Sequence, residues 1–208
     1  MKEPKIKILT ILNGFDIGGI ETTLLKCLNL FNYDRISMDI CSFKKDGVLK
    51  GDFANYITSF FKLKKTGFLV LDFIQLGFIL IKKRPDVVHS RFGFNSGGFV
   101  LVCKLLKIPI IVSLHSEKST MLSDNNRMVY KFYKYFYVKI HMFITKKYAT
   151  IILGHSKNNL YSFYRNWKKN KKYKLIYNGI TIKKKIISKE IAKSLLGFSI
   201  KKKYILHI

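Results

Sequence analysis

From Lys5 to Leu12 charged and apolar residues alternate before the chain turns wholly apolar, which is the pattern of a strand entering a sheet interior. Ile20, Leu24, Cys27, Leu28 and Phe31 then recur at helical spacing and predict a helix over Ile20 to Leu30. The next unit repeats the alternation: "RISMDICSF" as strand, a helix around Val48 to Ile57, and a short strand from Ser59 to Leu63. Leu69 to Lys83 is apolar nearly all round and reads as a buried helix, ended by Pro85, which cannot continue it. "DVVHS" is a short buried strand, "NSGGFVLVCKLLK" a helix, and "PIIVSLHS" another strand.

Beyond a polar loop over Ser116 to Asn126, a long helix is predicted from Arg127 to Lys147. Val129, Phe132, Phe136, Ile140 and Phe143 make its apolar stripe, with Arg127, Lys131 and Lys134 opposite and His141 on the solvated side. "ATIILGHS" is a strand, "SKNNLYSFYRNW" a helix capped by Ser156, and "KYKLIY" a strand closed by the turn dipeptide Asn178-Gly179. Strand alternating with helix implies parallel crossovers and a doubly wound α/β sheet. From Ile180 a lysine-rich connection leads to a short helix over Lys189 to Leu196 and a last strand, "KKYILHI". A lone strand cannot stabilise itself, so residues 180–208 are expected to open a second domain after a first over 1–179.

Composition adjusts this picture in four places. The 208 residues, 48% hydrophobic, suffice for one substantial domain and its core. The longest apolar run, Phe68 to Ile81, is too short to span a bilayer and is interrupted by Asp72. Cys27, Cys41 and Cys103 are widely spaced, without a CxxC pair, and fit core thiols in a reducing cytoplasm. The net charge of +27 points to an acidic partner, yet 34 of the 39 basic residues are Lys, whereas Arg is favoured for specific phosphate and base recognition. Residues 125–208 hold 21 basic side chains against one acid, Glu190, so the excess sits in the second part.

The segments "KIKILTILNGFDIGGIETTLLKCLNLF", "RPDVVHSRFG", "KIPIIVSLHS", "ATIILGHSKNNL", "KLIYNGI" and "AKSLLGF", then "YILHI", run in the order found in glycosyltransferase family 4. The resemblance covers essentially the whole chain. It implies the N-terminal half of a GT-B fold, a Rossmann-like parallel sheet with flanking helices, followed by a linker and the first strand of a C-terminal nucleotide-sugar domain. Thr181 stands where the family often has Asp, and Ser116 where Asp or Gly commonly follows the histidine. The family's paired glutamates and the basic pair that neutralises the leaving diphosphate belong to the C-terminal domain and have no counterpart here.

Candidate chemistry gathers at predicted strand ends, where open α/β sheets bind ligands. Gly14, Gly18 and Gly19 fall within six residues between the first strand and helix. Glycine admits a ligand close to the backbone, and helix N-terminal amides favour anions, although an ordinary glycine turn gives the same pattern. The spacing is not GxGxxG, so a dinucleotide fingerprint is absent. The resemblance places Gly18, Gly19 and Glu21 at a cleft near donor diphosphate and acceptor, and His115 at the reaction centre on the transferred sugar. His89 and Arg91 end the preceding strand and either meet an acceptor or cap the sheet; His155 reads as structural. No metal-ligand spacing occurs, and the resemblance is to metal-independent retaining enzymes, so no cofactor or metal is expected.

The expected function is transfer of a hexose from a nucleotide-diphosphate sugar to a surface-glycan or lipid-linked acceptor. The expected setting is cytoplasmic, peripheral on the inner face of the membrane. A cationic helix side of Arg127, Lys131 and Lys134 suits an anionic membrane surface, and equally suits plain solvation. Two other readings stand beside this one: a basic membrane- or polyanion-binding module, and an inactive truncated remnant or one of two separately encoded halves. Specific nucleic-acid recognition is disfavoured because Arg is scarce and no recognised module occurs.

Overall fold

A computed structural model of the chain describes residues 4–64, 69–116, 128–179, 187–199 and 202; the side chains of 69–72, 128–133 and 189 fall outside that description. It divides into two compact units, Met1–Asn178 and Gly179–Ile208.

Among the described residues the first unit holds seven strands: β1 (Ile6–Leu12), β2 (Ile36–Ser42), β3 (Ser59–Lys62), β4 (Val87–Ser90), β5 (Ile110–Leu114), β6 (Ile151–Gly154) and β7 (Tyr173–Leu175). They form one sheet in the order β3-β2-β1-β4-β5-β6-β7, and every pair is parallel. The order reverses between β1 and β4, so the carboxyl ends of these two strands diverge into a crevice. Both outermost strands are short, four residues in β3 and three in β7, and each carries a lysine, Lys62 and Lys174.

The crossovers are α1 (Gly19–Leu28), α2 (Lys50–Ala54), α3 (Leu69–Lys83), α4 (Gly97–Leu105), α5 (Met128–Tyr148) and α6 (Lys157–Phe163). Burial sorts them into two layers. Leu24 and Leu28 of α1 and Phe53 of α2 pack with Leu12, Met38 and Ile40 of the sheet. Leu76 and Leu80 of α3, Val100 and Cys103 of α4, and Val138 and Met142 of α5 pack against Val88, Val112 and Ile152. Two glycines set the spacing of that second layer. A Cβ on Gly97 would lie 2.6 Å from the Cα of His141, and one on Gly98 would enter the ring of Phe73, so α4 fits between α5 and α3 only without side chains there.

Helix ends follow local chemistry. The Ser156 hydroxyl accepts from the Asn159 amide at 3.0 Å and caps α6 as anticipated. Arg84 after α3 and Lys107 after α4 take left-handed backbone, φ 45° and 58°, and Pro85 and Pro109 follow. In the second unit, α7 (Lys189–Leu195) is capped by Ser188, whose hydroxyl accepts from Ile191 at 3.3 Å. The anticipated last strand, "YILHI", lies outside the described residues.

Two expectations about helix faces are corrected. His141 is 5% exposed, donates from Nδ1 to the Asn95 carbonyl at 2.9 Å, and lies against the ring of Tyr137; it is a core residue. Correspondingly, the buried side of α5 carries Val138, His141, Met142 and Thr145, whereas Phe136, Ile140 and Phe143 of the supposed core stripe face outward. Lys134 is half-buried on the His141 side; Arg127 and the Lys131 side chain lie outside the described residues. The helix α3 is likewise not buried all round, since Ile74, Phe78 and Ile81 are exposed.

Candidate functional site

The crevice at the order reversal holds a cavity of about 240 Å³ lined by Asn13, Ile20, Glu21, Arg91, Phe92, Gly93, Asn95, His115 and Ser116. Each wall follows directly from the sheet. Asn13 ends β1, Arg91 leaves β4, and His115 leaves β5; Ile20 and Glu21 belong to the first turn of α1. A tight bend after Arg91, with Gly93 at φ 52°, brings Asn95 back to the same opening.

Three polar atoms on this wall are buried and have no hydrogen-bond partner among the described residues: Arg91 Nε, Asn95 Oδ1 and His115 Nε2. A buried polar group without a partner is costly, so its retention at a cavity wall points to a ligand that satisfies it. The Arg91 guanidinium also donates to the Ile20 carbonyl at 3.3 Å, which ties β4 to the head of α1. Burial pushes the Arg91 guanidinium down to about 10, so it stays cationic at neutral pH.

His115 stacks on His155, ring centroids 4.6 Å apart and planes 25° from parallel. The two residues end neighbouring strands, β5 and β6, which is why their rings meet. Burial first, then His155 and Arg91, push the His115 imidazole down to about 3, and burial lowers His155 as well; both are neutral at physiological pH. His155 Nδ1 lies 3.0 Å from the Ile176 carbonyl. A neutral imidazole bonded to a carbonyl through Nδ1 must donate there, which leaves its Nε2, also unpartnered, as an acceptor. His155 had looked structural from sequence; the only signal for it was its place at the end of the strand beside that of His115.

His89 is set apart from the cavity wall. It lies within β4 and its Nε2 is 2.7 Å from the Ser113 hydroxyl across the β4–β5 pair. Burial, with Arg91 and then His115 and His155, pushes it down to about 3. Gly18 and Gly19 start α1 beside Ile20. A Cβ at Gly18 would meet only the movable Glu21 carboxylate at 2.5 Å, and one at Gly19 would meet nothing within 4 Å. No atom of the described residues therefore requires glycine at position 19. Gly14 differs: its missing Cβ makes room for Lys44, a purely internal reason. Among the described residues no group of three His, Cys, Asp or Glu side chains is placed to hold a metal ion.

A match over residues 17–184 to the family model described as Glycosyltransferase Family 4 decides the family. The chain belongs to Glycosyltransferase Family 4. Solved GT-B structures share the architecture. Anabaena Alr3699/HepE in complex with UDP superposes with a TM-score of 0.62 at 16% identity, over 92% of this chain and 50% of that one. The lipopolysaccharide outer core galactosyltransferase WaaB, in its apo form, gives 0.61 at 17%, over 86% and 47%. A structure described as a putative UDP-N-acetylglucosamine 2-epimerase from Listeria monocytogenes gives 0.55 at 12%, over 82% and 44%. At such identities the likeness concerns the fold, which a transferase and an epimerase share, so the chemistry must be argued from the site. The chain spans about half the length of these structures. Comparison with curated protein sequences finds no match.

Proposed function

We propose that this chain forms the acceptor-side half of a glycosyltransferase that moves a hexose from a nucleotide-diphosphate sugar to a hydroxyl of a surface-glycan or lipid-linked acceptor, with retention of configuration. Membership of the family supports the reaction type. The observation that carries the site is the set of unpartnered polar atoms at the crevice, Arg91 Nε, Asn95 Oδ1 and His115 Nε2. A sugar presents hydroxyls that donate and accept at several angles, which is the complement such a wall requires.

In this reading neutral His115, braced by the His155 ring, hydrogen-bonds the transferred hexose, and Asn95 and Glu21 accept from hydroxyls of hexose or acceptor. The open approach at Gly19 and the free amides at the head of α1 suit the diphosphate, whose negative charge grows as the bond to the sugar C1 breaks. The acceptor oxygen bonds to C1 and its proton leaves with the diphosphate. Residues 1–179 are the acceptor-side domain, and 180–208 a linker leading into a nucleotide-sugar domain. Two of the solved relatives hold UDP or UDP-glucose, which makes UDP-sugars the first donors to try.

The test is mass-spectrometric detection of hexose transfer by the full-length natural gene product, given UDP- and GDP-hexoses and glycolipid extracts. His115→Ala is expected to lower turnover at least about a hundredfold while the circular dichroism spectrum stays native. Transfer from no nucleotide-diphosphate hexose, or full turnover by the His115→Ala protein, overturns the reading.

A further inference from the structure

Among the described residues, the second helix layer has an outer surface rich in exposed apolar side chains. On α3, Phe78 is 69% exposed and Ile81 57%; on α4, Leu105 is 74% exposed; on α5, Ile140 is 51% and Phe143 64% exposed. These side chains are not scattered. The glycines at 97 and 98 press α4 between α5 and α3, and all three helices bury their inner sides in one cluster, so their outer sides form a continuous sheet of apolar surface. Scattered exposed apolar residues are ordinary, but a contiguous apolar face marks a binding surface.

Charge identifies what binds. Every described charged side chain of α3, α4 and α5 is cationic, and exposed Lys82, Lys104, Lys139 and Lys147 lie among or beside the apolar groups. Two of these lysines hold their ammonium groups over aromatic rings of the same helix: Lys139 Nζ sits 4.5 Å from the Tyr135 ring centroid and Lys147 Nζ 5.9 Å from that of Phe143. A cation beside exposed aromatic surface is the pairing that an anionic headgroup layer over hydrocarbon matches. A second copy of the chain fits poorly, because a two-fold contact would set lysines against lysines. Among the described residues no helix is long and apolar enough to cross a membrane, so the face would lie on a bilayer and not span it.

We propose that the outer face of α3, α4 and α5, led by Phe78, Leu105, Ile140 and Phe143 and rimmed by Lys104, Lys139 and Lys147, is a docking surface for an anionic lipid bilayer. The apolar side chains enter the headgroup boundary and the ammonium groups pair with lipid phosphates. This does not depend on the transfer reaction: the surface is separate from the crevice and makes its own prediction. Of the cationic helix side anticipated from sequence, Lys134 is half-buried, and Arg127 and the Lys131 side chain lie outside the described residues.

The test is co-flotation of the 208-residue chain with vesicles of phosphatidylcholine alone or mixed with phosphatidylglycerol, with sedimentation equilibrium run on the same samples without lipid. The expected result is binding to the mixed vesicles, with at least about tenfold weaker affinity for the triple variant Phe78→Ser, Ile140→Ser, Phe143→Ser and about severalfold weakening for Lys139→Glu with Lys147→Glu. The substituted side chains are exposed, and a native circular dichroism spectrum and urea midpoint show that each variant folds. No binding to the mixed vesicles overturns the proposal. So does unchanged binding by the triple variant, which would mean adsorption by charge anywhere on the molecule. Self-association in the absence of lipid that the same three substitutions abolish also overturns it, by giving the face to a second copy.

Discussion

At the scale of single residues, the histidines make the molecule sensitive to mild acid. His89 and His115 are held near 3, and His141 and His155 are lowered as well, in each case mainly by burial. In the unfolded chain each takes up a proton near its ordinary value of about 6.5. Between these values the unfolded state binds more protons than the folded one, so stability is complete above about pH 6.5 and is lost as pH falls toward 3. Urea midpoints measured from about pH 7 to pH 5, before carboxylates titrate appreciably, are expected to fall with pH, and His115→Asn is expected to flatten that slope; a midpoint constant over the range contradicts the burial argument. A pair of glycine substitutions separates ligand from packing. Gly19→Ala meets no atom of the described residues within 4 Å and is expected to leave the urea midpoint unchanged while weakening nucleotide-sugar binding in the full-length product. Gly97→Ala drives a methyl group into the backbone at His141 and is expected to cost about 1–3 kcal/mol of stability, read from the same titration.

The secondary elements show which physical information the sequence carries and which it lacks. Every strand of the sheet is visible as a short apolar run bounded by turn residues, because a parallel strand buried on both faces has few other options. That Arg91 and His115 line the crevice was legible for a related reason, since they follow β4 and β5 and strand ends face the crevice, whereas Glu21 was marked by the glycine loop that opens α1. Asn13, at the end of β1, carried the same signal and was overlooked; Asn95 carried none, because it reaches the opening only through the bend at Gly93, and His155 stacks on His115 only because β6 pairs with β5. The orientation of α5 was misread for a stronger reason. Counting apolar residues points Phe136, Ile140 and Phe143 inward, yet His141 and its neighbours face inward because Gly97 of α4 admits the backbone of His141. Helix ends carry a testable cost of their own. Lys107 holds left-handed backbone after α4, with the Ile108 amide donating to the Cys103 carbonyl at 2.9 Å, a geometry glycine adopts without strain. Lys107→Gly is expected to raise stability by about 0.5–1 kcal/mol in chemical denaturation, and a decrease would show that the lysine side chain contributes more than its backbone costs.

At the scale of the whole first unit, the crevice and the apolar helix face lie on separate surfaces. The crevice opens at the carboxyl edge of the sheet, where backbone amides and strand-end side chains converge, whereas the apolar face is built from the outer sides of three helices. Selection can therefore alter one without disturbing the other, and variants in one are expected to leave the readout of the other intact. The strands at the two margins of the sheet bear on how such a protein stays dispersed. An apolar helix layer combined with a long bare margin would invite chain-to-chain β-pairing, which ends in fibrils. Four residues at one margin, ending on Lys62, and three at the other, centred on Lys174, offer too little backbone for another chain to zip against. Stickiness is thereby confined to the helical side, where clustering would be amorphous, reversible and dissolved by detergent.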